Sequence, residues 1–174
     1  EQGTLITLIG PNGAGKTTLF NMLTGESGPS SGTITLYTAD GPVDITKKKA
    51  YQVAKLGVAR TFQNIRLFGA MTVKENVLVA RTHLYRESFI GTMLRLPQFY
   101  QQEAAVATAA DELLDFFELA DVADEPTASL PYGTQRRVEI VRAVATRPQL
   151  LFLDEPAAGM NPEETAVSYT HLRA

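Results

Sequence analysis

The chain of 174 residues contains no cysteine, no tryptophan and only two histidines. The absence of cysteine excludes disulfide bonds and metal sites built from thiolates, which fits a reducing compartment. The formal net charge of −3 lacks the basic excess typical of nucleic-acid-binding proteins, so we expect no nucleic-acid partner. No apolar run approaches the roughly 20 residues of a membrane span, and no signal peptide is visible. We therefore expect any contact with a membrane to be made through another protein.

The overall composition is that of an ordinary globular domain, with 44% hydrophobic and 20% charged residues. A chain of this length suits one domain that buries a substantial core. Short apolar runs typical of strands alternate along it with segments of helical periodicity. The alternation predicts an α/β fold.

A glycine-rich stretch, GPNGAGKTT at residues 10–18, matches the phosphate-binding pattern G-x-x-x-x-G-K-[ST]. It follows an apolar run at residues 5–9, which we expect to form a buried strand. The glycines allow backbone N–H groups to approach phosphate oxygens, Lys16 places a cation on the outer phosphates, and the Thr17 hydroxyl can ligate Mg²⁺. A chance glycine-rich turn is the weaker alternative. We expect the following residues to hold ATP: Pro11, Asn12, Gly13, Ala14, Gly15, Lys16, Thr17 and Thr18.

Local patterns predict several further elements. We expect strands at residues 33–37 and 58–62, with a turn at Asp40 and Gly41 after the first. Helices are predicted at 47–56, where Gly57 ends the helix, and at about 134–146. Thr72 and Glu75 form a capping box that opens a helix to about residue 81. A helix over 103–118 has a single apolar face, formed by Val106, Ala109, Ala110, Leu113, Leu114 and Phe117.

A second candidate centre follows the apolar run at residues 150–153, predicted to be a central parallel strand buried on both faces. Asp154 and Glu155 come next, at the strand end where ligands of open α/β sheets bind. Asp154 suits a ligand of Mg²⁺, direct or through water, and Glu155 can polarise an attacking water as general base. Two acids after a strand more often form a helix cap or a solvated turn. An intact phosphate loop in the same chain favours the catalytic interpretation.

The order of four motifs resembles the nucleotide-binding subunit of an ABC transporter. The phosphate loop comes first, followed by RTFQN at 60–64, LPYGTQ at 130–135 and LDEP at 153–156. The resemblance implies a three-layer α/β core of the P-loop NTPase type over residues 1–166, with a helical subdomain at about 73–128. It implies that Gln63 contacts Mg²⁺ and water and senses a transmembrane partner. The metal ligands would then be Thr17, Gln63 and Asp154, with Glu155 and Gln63 as the catalytic residues.

The resemblance also implies a dimer, made from two copies or from one copy and a paralogue, that encloses two ATP molecules head to tail. Residues 158–161 would cross the dimer interface. The other subunit's ATP would be capped by the signature residues Tyr132, Gly133, Thr134 and Gln135. Pro131 stands where most such signatures have serine, and it supplies neither a hydroxyl nor an N–H. We therefore expect the Gly133 N–H and the helix N-terminus to make this contact. Taken alone, Gln63 would be a surface loop residue and Gly133 a helix-entry glycine.

Residues 59–68 and 154–162 are similar to the ATPase of branched-chain amino acid importers. This similarity implies ATP-driven uptake of hydrophobic amino acids, with transmembrane permease subunits as direct partners. A binding protein outside the cytoplasm would deliver the substrate, and this chain would sit on the cytoplasmic face of a bacterial or archaeal plasma membrane. The expected contact with the permease is the segment 66–68, beside Gln63. The substrate rests on the resemblance, since no site chemistry in the chain specifies it.

Two other functions stay open at this point. A soluble ABC ATPase of DNA repair or translation would share the motifs, although the negative net charge and the short insert at about 84–102 disfavour it. Alternatively, these 174 residues bind nucleotide without turning it over. Residues 167–174 resemble a translated sequencing adaptor, and we expect them to lie outside the fold. His171, in that segment, is the only candidate for the family's switch histidine and is too close to Glu155 to serve.

Overall fold

The computed structural model describes residues 4–84 and 97–154. In chain order these form α1 (Lys16–Leu23), β1 (Thr35–Thr38), β2 (Gly41–Asp44), α2 (Ala50–Lys55), β3 (Val58–Arg60), α3 (Val73–Arg81), α4 (Pro97–Phe116), α5 (Tyr132–Ala145) and β4 (Leu150–Phe152). Short 3₁₀ turns occur at Thr82–Leu84, Ala120–Val122 and Thr127–Ser129. The predictions for Glu155, residues 158–161 and residues 167–174 lie outside the described residues.

The strands form two pairs of opposite kind. β1 and β2 make an antiparallel hairpin in which Thr35 faces Asp44. The chain turns at residues 39–40, one residue before the predicted turn, and Gly41 already belongs to β2. β3 and β4 are parallel, with Val58 beside Leu150 and Arg60 beside Phe152. This register carries the ends of β3 and β4 to the same sheet edge. The residues that follow each strand, at 61–63 and at 154, therefore come together there.

Two expectations about the sheet are wrong. Residues 5–9 form no strand, and Ile6 and Ile9 have 83% and 88% of their surface exposed. β4 is only half-buried, with Leu150 exposed at its start. A parallel strand is buried when strands flank it on both sides and helices cover both faces. Among the described residues, however, β4 pairs with β3 alone and residues 5–9 belong to neither of the two sheets.

The main hydrophobic core lies among α3, α4 and α5. The predicted face of α4 is confirmed, since Ala110, Leu114 and the following Phe117 are at most 3% exposed. The capping box that opens α3 is also confirmed: the Thr72 hydroxyl accepts from the Glu75 N–H at 3.1 Å, and the Glu75 carboxylate accepts from the Thr72 N–H at 2.8 Å. A second, smaller cluster packs Ile45, Val53 and Val58 under the hairpin.

The described elements between residues 73 and 129 are all helical, while the expected boundaries of a subdomain at about 73–128 stay a prediction. Within the described ranges, no helix combines the length and the apolar character that crossing a bilayer demands.

Candidate nucleotide-binding site

The glycine-rich loop has the backbone shape that a phosphate cradle requires. Gly13 and Gly15 have φ values of 82° and 85°, in the left-handed region that side chains other than glycine adopt only with strain. A Cβ built on either glycine would meet no atom within 4 Å, so the space beside the loop is open. α1 begins directly at Lys16, and no side chain caps it. The first N–H groups of α1 are therefore available to an anion.

Lys16 lies folded back over this loop. Its Nζ donates to the carbonyl oxygens of Gly10 at 2.5 Å and of Pro11 at 2.9 Å. The other predicted loop residues, from Pro11 to Gly15 together with Thr17 and Thr18, are exposed, whereas Lys16 is half-buried. The ammonium group therefore sits at the mouth of the cradle with backbone oxygens as its partners.

Asp154 lies at the end of β4, as predicted, where it forms an ion pair with Arg60. The guanidinium Nη2 of Arg60 is 3.0 Å from the Asp154 Oδ2, and both side chains are largely buried. The Nη1 of the same arginine donates to the Asn21 Oδ1 in α1 at 2.7 Å. The ring faces of Phe20 and Phe62 lie 5.7 and 5.3 Å from the guanidinium. Arg60 thus links the Asp154 carboxylate to the helix that begins with Lys16.

The donor set fits Mg²⁺ bound mainly through a nucleotide. The described residues contain no group of three or more acidic or histidine side chains that could enclose a metal by themselves. Mg²⁺ in phosphoryl-transfer sites characteristically uses one or two carboxylates, phosphate oxygens and waters. Thr17 and Asp154 supply a hydroxyl and a carboxylate of that kind. Gln63, whose side chain is exposed, supplies an amide oxygen.

The segment that carries Gln63 is anchored on both sides by hydrogen bonds between its backbone and side chains of α3 and α5. Before it, the Phe62 carbonyl accepts from the Arg136 Nη1 at 2.5 Å, and the Phe62 N–H donates to Glu139 at 3.3 Å. After it, the Phe68 N–H donates to the buried side chain of Asn76 at 2.9 Å, and the Asn76 amide donates back to the Phe68 carbonyl at 3.1 Å. The five residues between these anchors form a short loop at the protein surface.

The predicted signature residues open α5. Pro131 occupies the N-cap position and makes no side-chain cap, so the first turn of α5 keeps free donors. Tyr132 is 49% exposed and Gly133 is buried. Thr134 is half-buried, and the Gln135 amide turns back to donate to the Leu130 carbonyl at 2.8 Å. Gln135 therefore stabilises the entry to α5 within its own chain.

Sequence reasoning gave no role to three residues that hold the site together: Arg60, Arg136 and Glu139. Arg136 and Glu139 lie one helical turn apart on the same side of α5 as the buried Ile140 and Ala143. Charges of opposite sign on an otherwise apolar helix face indicate a buried ion pair, and this signal was available in the sequence. No sequence pattern indicated the partners of Arg136 in other segments of the chain.

Comparison with known families identifies the family to which this chain belongs. The sequence profile of the family described as ABC transporter matches residues 1–158. The chain belongs to the ABC transporter family. The α/β P-loop fold predicted from the motif order is confirmed by this match and by the solved cassettes that resemble the chain.

Two curated relatives in the family have a more specific description. The high-affinity branched-chain amino acid transport ATP-binding protein BraF of Pseudomonas aeruginosa is 44% identical over 95% of this chain and 63% of its own length. The corresponding protein LivG of Escherichia coli K12 is 44% identical over 92% of this chain and 62% of its own length. The chain therefore spans less than two thirds of these relatives.

A solved structure supports the same assignment. The ADP conformation of MJ1267, an ATP-binding cassette of an ABC transporter, superposes with a TM-score of 0.74 at 31% identity. The match covers 99% of this chain and 65% of the MJ1267 chain. The roles of individual residues in this chain stay predictions.

Proposed function

We propose that this chain is the ATP-binding and hydrolysing part of an ABC importer that energises the uptake of branched-chain amino acids. The observation that carries the proposal is the phosphate cradle, in which Gly13 and Gly15 adopt left-handed conformations and the uncapped α1 begins at Lys16. The naming of BraF and LivG as ATP-binding proteins of branched-chain amino acid transport supports the substrate class. These names favour transport over the alternative role in DNA repair or translation.

In this proposal the triphosphate lies in the cradle, with its oxygens on the N–H groups of residues 13–18 and on the Lys16 ammonium. Charge-assisted hydrogen bonds of this kind are shorter and stronger than neutral ones. The Lys16 Nζ already reaches two carbonyl oxygens of the loop, so its side chain lies across the cradle where the phosphates would bind. The exposed glycine-rich loop admits the nucleotide from solvent.

Thr17, Gln63 and Asp154 would hold Mg²⁺ beside the outer phosphates. Bound Mg²⁺ would neutralise charge that develops on the phosphate oxygens during transfer. Asp154 is prepared for this role because Arg60 fixes its carboxylate at the edge where β4 ends. Glu155, directly after Asp154, would orient and deprotonate the attacking water.

The proposed assembly is a dimer of ATPase subunits bound to transmembrane permease subunits at the cytoplasmic face of the plasma membrane. Tyr132, Gly133, Thr134 and Gln135 would meet the nucleotide held by the second subunit, and the uncapped start of α5 supports this placement. Each complete site then needs two copies. The 174-residue chain on its own is therefore expected to bind ATP and to show no appreciable turnover.

The test measures ATP affinity of the 174-residue chain by calorimetry. Lys16→Ala removes the cation from the cradle, and we expect ATP to bind about 10- to 100-fold more weakly, because a charge-assisted hydrogen bond contributes about 1.5–3 kcal/mol. Lys47→Ala is the matched control, since Lys47 is an exposed lysine outside the loop. Equal ATP affinity in the two variants would contradict the proposed cradle.

Turnover gives a second measurement. Robust hydrolysis by the 174-residue chain, abolished in Glu155→Gln, would contradict the expectation that a complete site needs a second copy. Co-purification of the natural protein with an integral membrane partner would support transport, whereas a ribosome or DNA partner would overturn it.

A further inference from the structure

Arg136 is completely buried and reaches two separate parts of the site from α5. Its Nη1 donates at 2.5 Å to the carbonyl of Phe62, the residue before Gln63. Its Nη2 donates at 2.5 Å to the carbonyl of Asp154. One planar guanidinium therefore contacts the backbone of both Phe62 and Asp154. These two residues are separated by more than 90 positions in the sequence.

Glu139 fixes the orientation of this guanidinium. Its Oε2 accepts from the Arg136 Nη1 at 2.5 Å, and its Oε1 accepts from the Phe62 N–H at 3.3 Å. Both side chains are at most 2% exposed. Removing only one partner of a buried guanidinium–carboxylate pair strongly destabilises a protein, because the other charge stays buried without compensation. The pair is therefore expected to stay formed in the native state.

The same sheet edge is joined a second time by Thr61. The Thr61 N–H donates to the Phe152 carbonyl at 2.9 Å, and the Asp154 N–H donates to the Thr61 hydroxyl at 3.3 Å. These bonds fix the spacing of β3 and β4. They do not fix the direction in which the chain continues after each strand. That direction depends on the residues that follow, and Arg136 hydrogen-bonds to the backbone of those residues.

We propose that Arg136 and Glu139 are positioning residues that set the distance between Gln63 and Asp154, and thereby set how strongly Mg²⁺ increases ATP affinity. The inference rests on the proposed function, since it concerns the metal ligands of that site. Neither side chain touches the nucleotide. Both act through the backbone of Phe62 and Asp154. Because both side chains belong to α5, whose first turn carries the signature residues, the position of the metal ligands depends on this helix.

The variant Arg136→Lys separates the positive charge of the arginine from its forked shape. Arg136→Lys keeps the positive charge that compensates Glu139, but its single nitrogen cannot reproduce a fork with one nitrogen on each carbonyl. Arg137→Lys is the matched control, since it makes the same chemical change one residue along the same helix. Both variants are made in the 174-residue chain, and folding is checked by circular dichroism.

The measured quantity is the ratio of ATP dissociation constants in EDTA and in Mg²⁺. We expect Arg136→Lys to lower this ratio about tenfold, in the range found when groups supporting a metal ligand are removed. Affinity in EDTA should stay within about twofold, because the cradle at residues 10–18 is untouched. Arg137→Lys should preserve both values. A role in stability alone would weaken ATP binding equally with and without Mg²⁺.

A double variant tests the route of the effect. If Arg136 acts through Asp154, Arg136→Lys should change the ratio little further in an Asp154→Asn background, because the ligand it positions is already lost. Glu139→Gln, which removes the charge that orients Arg136, should lower the ratio like Arg136→Lys. Additive losses in the double variant would overturn the proposal.

The remaining outcomes separate this inference from the proposed function. A wild-type chain that binds no ATP in either condition would overturn the proposed function. A wild-type chain that binds ATP with a Mg²⁺ enhancement retained in Arg136→Lys would overturn the inference alone, as would a wild-type chain whose binding Mg²⁺ does not enhance. Loss of the folded circular-dichroism signal in both Arg136→Lys and Glu139→Gln would show a purely structural pair and would equally overturn it.

Discussion

Two ion pairs in this chain differ in how deeply their charged residues are buried. Arg60 forms its ion pair with Asp154 where the two side chains are 6% and 15% exposed. Lys74 pairs with Asp111 between α3 and α4 at 2.6 Å, where the exposures are 30% and 53%. Water competes for the second pair and hardly for the first. The two pairs therefore form a matched comparison of buried and exposed charge.

Replacing Arg60 should be costly. Arg60→Met leaves the Asp154 carboxylate without its partner, and we expect the free energy of unfolding to fall by about 3 kcal/mol. Lys74→Met makes the same kind of change at the exposed pair and should cost at most about 1 kcal/mol. Both values come from urea denaturation followed by circular dichroism. A similar loss in the two variants would show that burial does not determine the contribution of the Arg60 pair.

At the scale of elements, the end of α1 depends on one glycine. Gly25 follows the C-cap Thr24 with a φ of 77°, and its N–H donates to the Met22 carbonyl at 3.3 Å. A Cβ at this position would lie 2.8 Å from the backbone carbonyl oxygen of Lys48. Gly25 is therefore required both by the left-handed conformation and by the close approach of the segment before α2.

This double requirement predicts a graded series. Gly25→Ala should lower the free energy of unfolding by about 3 kcal/mol, because strain at positive φ adds to a forced shift of backbone. Gly32→Ala, at φ 86° with no atom within 4 Å of the added Cβ, should lose only about 1 kcal/mol. Gly28→Ala, which has neither feature, should stay within about 0.5 kcal/mol. Equal losses for Gly25→Ala and Gly32→Ala in urea denaturation would show that the contact with Lys48 is relieved at little cost.

At the scale of the whole molecule, the 174-residue chain exposes an apolar segment directly before its phosphate loop. Within residues 5–9, the four large aliphatic side chains are between 47% and 88% exposed. Contiguous exposed apolar surface favours association between molecules, especially where the backbone is also unpaired. The segment is thus the surface through which we expect this chain to self-associate.

Changing one residue in the segment should reduce that association. Ile6→Thr keeps the β-branched shape and removes apolar surface at a position that is 83% exposed. Light scattering against protein concentration should show a higher onset of aggregation than in the wild-type chain. Tyr37→Thr is the control, because Tyr37 is 79% exposed but lies in the paired strand β1. An equal change in both variants would show that general surface hydrophobicity, not this segment, controls association.

Sequence reasoning succeeded where a feature depends on near neighbours. The capping box of Thr72 and Glu75, the end of α2 before Gly57 and the apolar face of α4 all follow from spacings of three or four residues. The signature helix and the two strands β3 and β4 were also predicted within a few residues of their observed positions, but their pairing with each other was not predicted. It failed for residues 5–9 and for the burial of β4, because burial depends on which strands and helices lie alongside.

The sequence by itself predicted the phosphate loop, because its glycines, its lysine and the start of a helix all lie within nine consecutive residues, and the order of four such short motifs indicated the family. Only the tertiary structure decided that Arg60 meets Asp154 across 94 positions and that Arg136 meets Phe62 across 74. Such pairs form when the sheet and α5 bring distant segments together. A long side chain, once buried, must then find its partners among whatever groups the fold places there.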